Sequence, residues 1–309
     1  MRKRLQNRMA ESRFAFPVMA VYGLAIWLAE GTKNGIGWAE LTLFALSTGM
    51  MIALNNSNSL IRIYSRMVSC SFIAMTTAAT FLFHNLEASI VGTCFILFYL
   101  LLLRSYQDKH APGIVFYAFS CIGIASLVFV QVLYFVPFLW VLMATNMMAI
   151  SKKMFCASLL GILAPYWFAG GYWLWVGELD YFMQHFAKLA EFEPLFEYGS
   201  LSTSRIATIG TVALLAIIGT VHFLRTSYLD KIRTRMIYEM LITINSLTAI
   251  FIILQPHHID KLLPIAIINT SCLIAHYVAL TKTRITNIAF IAICIGMITL
   301  TVFNLISME

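Results

Sequence analysis

The chain has 309 residues, of which 60% are hydrophobic and only 11% charged, and its mean hydropathy is +0.82. A soluble domain of this length carries far more charge, so the composition excludes an ordinary soluble protein and predicts one that lies in a lipid bilayer. The net charge of +7 does not indicate nucleic-acid binding, because the basic residues stand in small groups between apolar segments.

Eleven apolar segments predict membrane-spanning helices, each of which needs roughly 20 residues to cross the hydrocarbon core. They cover residues 14–29, 41–54, 67–83, 89–103, 113–130, 132–149, 154–176, 206–224, 236–254, 262–280 and 285–306. We therefore expect an all-α membrane bundle of about eleven transmembrane helices, in a single domain over residues 1–309 with its spans between 14 and 306. No small-residue cleavage pattern follows the basic N-terminus, so the first segment is predicted to be retained.

Charge predicts the orientation of these spans. With a cytoplasmic N-terminus, 17 of the 21 Lys and Arg residues fall on the cytoplasmic side and ten of the 14 acidic residues on the other. The separation requires the apolar stretch 113–149 to form two spans, with a tight turn near residues 131–137. A single helix there would be roughly 55 Å long, nearly twice the hydrocarbon thickness, and would invert every later link.

One long polar segment, residues 178–205, then faces the periplasm. Apolar side chains recur in it at helical spacing, which predicts an amphipathic helix in the outer membrane interface. Carboxylates beside a lipid surface could act as a general base or hold a divalent cation near a phosphate. The candidate catalytic residues are Glu178, Asp180, Glu191 and Glu193. The alternative is that this loop is acidic only because basic residues stay on the cytoplasmic side.

Four residues are candidates for substrate binding. Arg62 and Arg66 are four residues apart, so on a helix they share one face, where they could hold a phosphate head group. The alternative there is a capped turn that carries two orientation signals. Asn269 and His276 are seven residues apart on the tenth predicted span and share a stripe that could form a proton or substrate path. Hydrogen bonding between helices is the alternative for this pair.

No metal site is predicted. His257, His258 and Asp260 have the side chains of metal ligands, but three residues in one short loop are not a complete site. The six cysteines all fall inside apolar runs and are typical of small buried hydrophobes. Motifs for nucleotide hydrolysis, zinc proteolysis and serine hydrolysis do not occur, and nothing in the sequence identifies a cofactor.

The sequence Ser-Tyr-x-Asp-Lys occurs twice, at residues 105–109 and 227–231, each time close behind an arginine at the end of a predicted span. Duplicated halves of a membrane transporter would produce such an echo. The alternative is that each copy places an anchoring Tyr and a solvated Asp-Lys pair at the membrane interface.

Three stretches carry a resemblance to a known family: NNSNSLIRIYSR at 55–66, VQVLYFVPFLW at 130–140 and HFLRTSYLDKIRTR at 222–235. They resemble a functionally uncharacterised family of polytopic inner-membrane proteins from Bacteroides-type bacteria, over most of the chain. Relatives are sometimes labelled as carotene monooxygenases, but the chain offers no set of iron-binding histidines for that activity. The resemblance implies a multi-pass protein of the bacterial inner (cytoplasmic) membrane and carries over no catalytic residues.

Three functions fit these observations. The first is an enzyme of envelope glycan or lipid assembly that acts at the periplasmic face on a polyprenyl-linked substrate, such as a lipid-linked saccharide. It is similar to multi-spanning glycosyltransferases, although those enzymes usually keep an essential acid in a first outer loop longer than residues 30–40. The alternatives are a transporter or flippase and a non-catalytic membrane subunit of an envelope complex. Apart from the lipid bilayer, the sequence identifies no further partner.

Overall fold

The structure, a computed structural model, describes residues 4–191, 195–199 and 201–307, without the side chains of Lys33, Asn34 and Leu179. These residues form thirteen α-helices and no strand. The helices are α1 (Leu5–Ala10), α2 (Ala15–Asn34), α3 (Trp38–Asn58), α4 (Met67–Ala78), α5 (Leu86–Leu102), α6 (Pro112–Val128), α7 (Val136–Thr145), α8 (Lys152–Val176), α9 (Leu179–Ala187), α10 (Thr203–Thr226), α11 (Ile232–Leu254), α12 (Ile259–Leu280) and α13 (Arg284–Ser307).

The all-helical architecture is confirmed. Within the described ranges, seven helical segments are long and apolar enough to cross a membrane by their length and composition. They lie at Ala15–Thr32, Leu86–Ser105, Lys152–Val176, Thr203–Leu229, Ile232–Leu254, Pro256–Leu280 and Arg284–Ser307. Three shorter apolar helices accompany them, at Met67–Ala78, Pro112–Val128 and Val130–Thr145. The chain is therefore a multi-pass membrane protein.

The apolar stretch 113–149 is divided in two, as its length predicts. Helix α6 ends at Val128, where Phe129 adopts an extended backbone conformation. A 3-10 segment, Val130–Phe135, then leads into α7, which has Pro137 in its first turn. Proline has no backbone N–H and fits the start of a helix, so the sequence itself separates the two elements.

Helix α12 is the centre of the bundle. In the most apolar 18-residue stretch of Pro256–Leu280, 94% of the residues are buried inside the protein. Helix α12 packs against α4, α5, α10 and α11. A helix that is apolar all round is stable only when other helices or lipid surround it. Contacts at Gly219 are close enough that an added Cβ would lie 2.7 Å from the backbone of Leu273. Small residues permit such close helix packing in membranes.

Helix ends define two ends of the bundle. At the proximal end, α1 packs beneath α12, where Gln6 Nε2 donates to the carbonyl of Val278 (2.7 Å) and Asn7 Nδ2 to that of Thr281 (2.9 Å). The distal end is the opposite one, where α2 ends and α5, α10 and α12 begin. The charge pattern predicts that the proximal end is cytoplasmic and the distal end periplasmic.

The expectation that Arg62 and Arg66 share a helical face is wrong. Helix α3 ends at Asn58, where Ser59 adopts a left-handed conformation (φ 49°). Residues 59–66 then form turns and bends before α4 begins at Met67. A left-handed residue ends a helix because its backbone cannot continue the hydrogen-bond ladder. The two arginines therefore point to different surroundings.

Candidate functional site

Three ion pairs meet around the link between α4 and α5 at the distal end. We call their six members the distal rim: Glu30, His84, Glu87, Arg205, Asp260 and Lys261. They come from five different helices or links, and residues 81–87 contact all three pairs. The rim therefore depends on the assembled bundle and on no single sequence motif.

The first pair joins a buried carboxylate to a partly exposed histidine. Glu30 lies in the last two turns of the apolar helix α2, and its side chain is only 3% exposed. Its Oε2 lies 2.9 Å from Nε2 of His84, whose side chain is 35% exposed. Beside them the rings of Trp27 and Phe83 stack, with centroids 4.0 Å apart. A carboxylate in apolar surroundings is stable only with a partner, so this pairing fixes the orientation of the imidazole.

The other two pairs present cations. Arg205 donates from Nε and Nη2 to the two carboxylate oxygens of Asp260, both at 2.8 Å, while its guanidinium stacks over Phe81. Lys261 Nζ lies 2.6 Å from Oε2 of Glu87. Asp260 is in the first turn of α12, where the helix dipole favours a negative charge.

Both rim cations remain partly exposed. About a third of the side chain of Arg205 and of Lys261 is accessible. Each rim cation is paired with one carboxylate and keeps part of its surface accessible, and the imidazole of His84 is a group that can accept or deliver a proton. The rim therefore presents two paired cations and an acid–base group. The sequence singled out none of these pairs as a site.

The predicted catalytic acids that the structure describes lie on the surface. Glu178 stands at the start of α9, Asp180 is in its first turn, and both are exposed, as is Glu191. Glu193 lies outside the described residues. The structure places none of the three described acids in the distal rim, and their catalytic role stays a prediction.

Helix α9 is held against the bundle by its aromatic face. Phe182 and Phe186 contact the ring of Tyr166 on α8, with centroids 6.4 and 5.0 Å away. His185 Nε2 donates to the carbonyl of Ser126 at 3.0 Å. Burial lowers the pKa of His185, nearby Lys188 lowers it further, and the bond to Ser126 acts in the opposite direction. The amphipathic helix predicted within 178–205 is thus present. The expectation that its aromatic face lies in lipid is wrong, because Phe182 and Phe186 pack against α8.

A second polar cluster lies at the proximal end. Asp230 follows α10, and its side chain is only 2% exposed. It accepts a hydrogen bond from Nε2 of His276 at 3.0 Å, and Nε of Arg62 lies 3.4 Å from its other oxygen. We call these three residues the proximal triad. Arg62 is 38% exposed, so the triad links a buried histidine to the proximal surface.

Aromatic and histidine rings enclose His276. The rings of His222, Phe223 and Tyr238 have centroids 5.0–5.5 Å from it. Its Nδ1 is buried and has no hydrogen-bond partner among the described residues. An unpaired buried nitrogen is costly and marks a place where a proton, a water or a ligand would be stabilised.

The remaining predicted binding residues have separate partners. Asn269 accepts a hydrogen bond from the hydroxyl of Tyr99 at 2.9 Å, so it joins α12 to α5. Its predicted neighbour on the stripe, His276, is bonded to Asp230 instead. The guanidinium of Arg66 lies over the ring of Tyr64, at 5.5 Å from its centroid. The structure brings Arg62 and His276 into one cluster and leaves Asn269 and Arg66 outside it.

The two Ser-Tyr-x-Asp-Lys copies have different environments. Asp108 is exposed and accepts from the backbone N–H of His110 at 2.7 Å. Asp230, in contrast, is buried between Arg62 and His276. The interpretation of the second copy as a solvated Asp-Lys pair is therefore wrong. Within the part of the chain that the structure describes, no three His, Cys, Asp or Glu side chains are placed to hold a metal ion.

Comparison with known proteins adds no relative: no protein-family model, curated protein or solved structure matches the chain.

Proposed function

We propose that the chain is an inner-membrane protein of a Bacteroides-type bacterium, with a cytoplasmic N-terminus and eleven spans. The segregation of basic and acidic residues supports this topology. The helices α2–α8 and α10–α13 supply one element for each predicted span. In the proposed topology α9 is on the periplasmic side. The distal rim then faces the periplasm.

The best-supported activity in this compartment is envelope glycan or lipid assembly on a polyprenyl-linked substrate. The observation that carries it is the Glu30–His84 pair, a buried carboxylate that orients a partly exposed imidazole. In such a pair the carboxylate stabilises the imidazolium that forms when the histidine accepts a proton. Glu30 is thus an acid at the end of the first span, although the loop that follows it is short.

The rim can perform glycosyl transfer with conventional chemistry. His84 takes the proton of an acceptor hydroxyl as that oxygen bonds to the sugar carbon, and the bond from this carbon to the phosphate oxygen breaks. Arg205 and Lys261 stabilise the charge on the departing polyprenyl phosphate. Glu30 acts as a positioning residue for His84.

Complementation of a deletion strain tests this proposal, with lipid-linked saccharides profiled by mass spectrometry. We expect His84→Ala and Glu30→Gln to accumulate the same lipid-linked intermediate as the deletion, at normal protein levels. Glu178→Gln and Asp180→Asn are the matched controls, because they remove exposed carboxylates on the same side. Full complementation by both rim variants would refute the role of the rim. If only the control variants fail to complement the deletion, the catalytic residues are among the acids of 178–205.

A second candidate function is transport, which the proximal triad favours. A buried charged cluster beside a central helix is a common device for binding a proton or ion in a membrane transporter. In proteoliposomes, Asp230→Asn should reduce proton flux driven by a pH gradient, whereas the equivalent change Asp108→Asn should not. If Asp230→Asn and Asp108→Asn give equal proton flux, a proton path through the triad is excluded. A non-catalytic subunit would tolerate both sets of changes and co-purify with a partner.

A further inference from the structure

A large apolar cavity lies in the proximal half of the bundle, and no member of the distal rim or of the proximal triad lines it. Its volume is about 440 Å³. Helices α2 and α13 both pack against α4, and the cavity lies between them. Its lining includes Met9, Phe14, Tyr22, Ala74, Phe290 and Ile298. A volume of this order is typical of small-molecule sites, which hold about 300–1,000 Å³.

The shape of the cavity matches one hydrocarbon chain. The lining runs from Phe14, the residue before α2, to Tyr22 on α2, and from Phe290 to Ile298 on α13, which is a rise of about 12 Å on each side. The hydrocarbon core is about 30 Å thick, so the cavity reaches through most of one leaflet. Dividing 440 Å³ by this length gives a mean cross-section of about 37 Å², which is room for a chain of methylene groups.

Basic residues surround the proximal end of the cavity. Arg8 precedes the lining residue Met9, and Arg13 stands between two others, Ser12 and Phe14. Arg284 begins α13, and all three arginines are exposed. Exposed cations beside an apolar site attract anionic lipid head groups.

From this geometry we propose that the cavity binds one acyl chain of an anionic phospholipid from the proximal leaflet, with its head group beside α1 and the start of α13. The proposal is independent of the glycan-assembly and transport functions, because the cavity is lined by different residues. It assigns a resident lipid to the gap between α2 and α13, where polar groups are few. The hydroxyl of Tyr22, at the deep end, is already bonded to Thr301 at 3.0 Å.

Native mass spectrometry after delipidation tests the site, with phosphatidylglycerol or phosphatidylcholine added back. We expect one phosphatidylglycerol to remain bound preferentially. Ala74→Phe fills the cavity and should abolish this binding, while Ala213→Phe, on an exposed face of α10, should leave it intact. Arg13→Gln and Arg284→Gln should each weaken it about five-fold. Lys152→Gln, at the exposed start of α8, is the charge control.

A second measurement uses the unaltered protein, so it does not depend on folding of a variant. Cys294 lines the cavity, whereas Cys156 is exposed on α8. Bound phosphatidylglycerol should slow the reaction of Cys294 with an apolar maleimide and leave that of Cys156 unchanged. Four results would each overturn the proposal. They are equal lipid binding by the two phenylalanine variants, equal retention of the two lipids, a reaction of Cys294 that bound lipid does not slow, and a dimer that Ala74→Phe dissociates.

Discussion

Removing the carboxylate of Asp230 tests whether the proximal triad is a buried, connected cluster. In Asp230→Ala, the Nε2–H of His276 loses its acceptor in a site where the histidine side chain is fully buried. An unsatisfied buried donor costs about 1–3 kcal/mol of stability. The ion pair with Arg62 adds at most about 1 kcal/mol, because the Arg62 side chain is 38% exposed and solvent screens the pair.

The resulting loss of stability is about 1–4 kcal/mol. At about 2 °C per kcal/mol for a chain of this length, it should lower the melting temperature in detergent by about 2–8 °C. Differential scanning fluorimetry of the purified protein measures this change. Asp108→Ala provides a matched control, since it alters the same five-residue motif at an exposed position. We expect its melting temperature to remain at the wild-type value.

Asp230→Asn refines the result because the amide keeps an acceptor oxygen for His276 and loses only the charge. Its melting temperature should fall between those of the wild type and Asp230→Ala. If Asp230→Ala and Asp108→Ala melt together, the two copies have the same environment, and the buried triad is refuted.

Two further predictions concern packing and pH. Gly219→Ala should destabilise the bundle by about 1–3 kcal/mol because its Cβ would overlap the backbone of Leu273, whereas Gly210→Ala, with open space on the same helix, should be neutral or stabilising in a thermal melt. Burial lowers the pKa of His185, so its contribution to the docking of α9 is complete above the ordinary histidine pKa of about 6.5 and is lost as the pH falls through the lowered value. Hydrogen exchange should therefore show faster amide exchange in α9 in wild-type protein on acidification, after correction for the intrinsic pH dependence, and no such transition in His185→Gln.

Local features of the sequence predicted most of the fold. The length of each apolar run gives a helix, and the limited thickness of a bilayer requires the break in 113–149. The 3.6-residue periodicity after Glu178 predicts α9, because one apolar face must be covered. These inferences depend on residues close together in the chain, where spacing alone determines which side chains share a surface.

The candidate sites depend on contacts between distant residues, and those were not predicted. Glu30 and His84 belong to different spans, and so do Asp230 and His276. The sequence predicted a solvated Asp230 because Lys231 follows it. In the structure Asp230 follows the 3-10 turn Ser227–Leu229, and its side chain is buried. The only local signal for Glu30 was a carboxylate in the last turns of an apolar helix, where an unpaired charge would be costly.

Helix α12 explains how the two candidate sites coexist in one bundle. Its first turn contributes Asp260 and Lys261 to the distal rim, and its last turns contribute His276 to the proximal triad. Between them, Ile265–Leu273 are buried, and the interhelical bond of Asn269 to Tyr99 lies on this stretch. A transport route along α12 would have to pass this bond, whereas a reaction at the rim would not. Asn269→Leu combined with Tyr99→Phe removes both partners of this bond at once, so it should block transport while leaving glycan assembly intact. Loss of glycan assembly with intact transport would show that the activity does not belong to the distal rim.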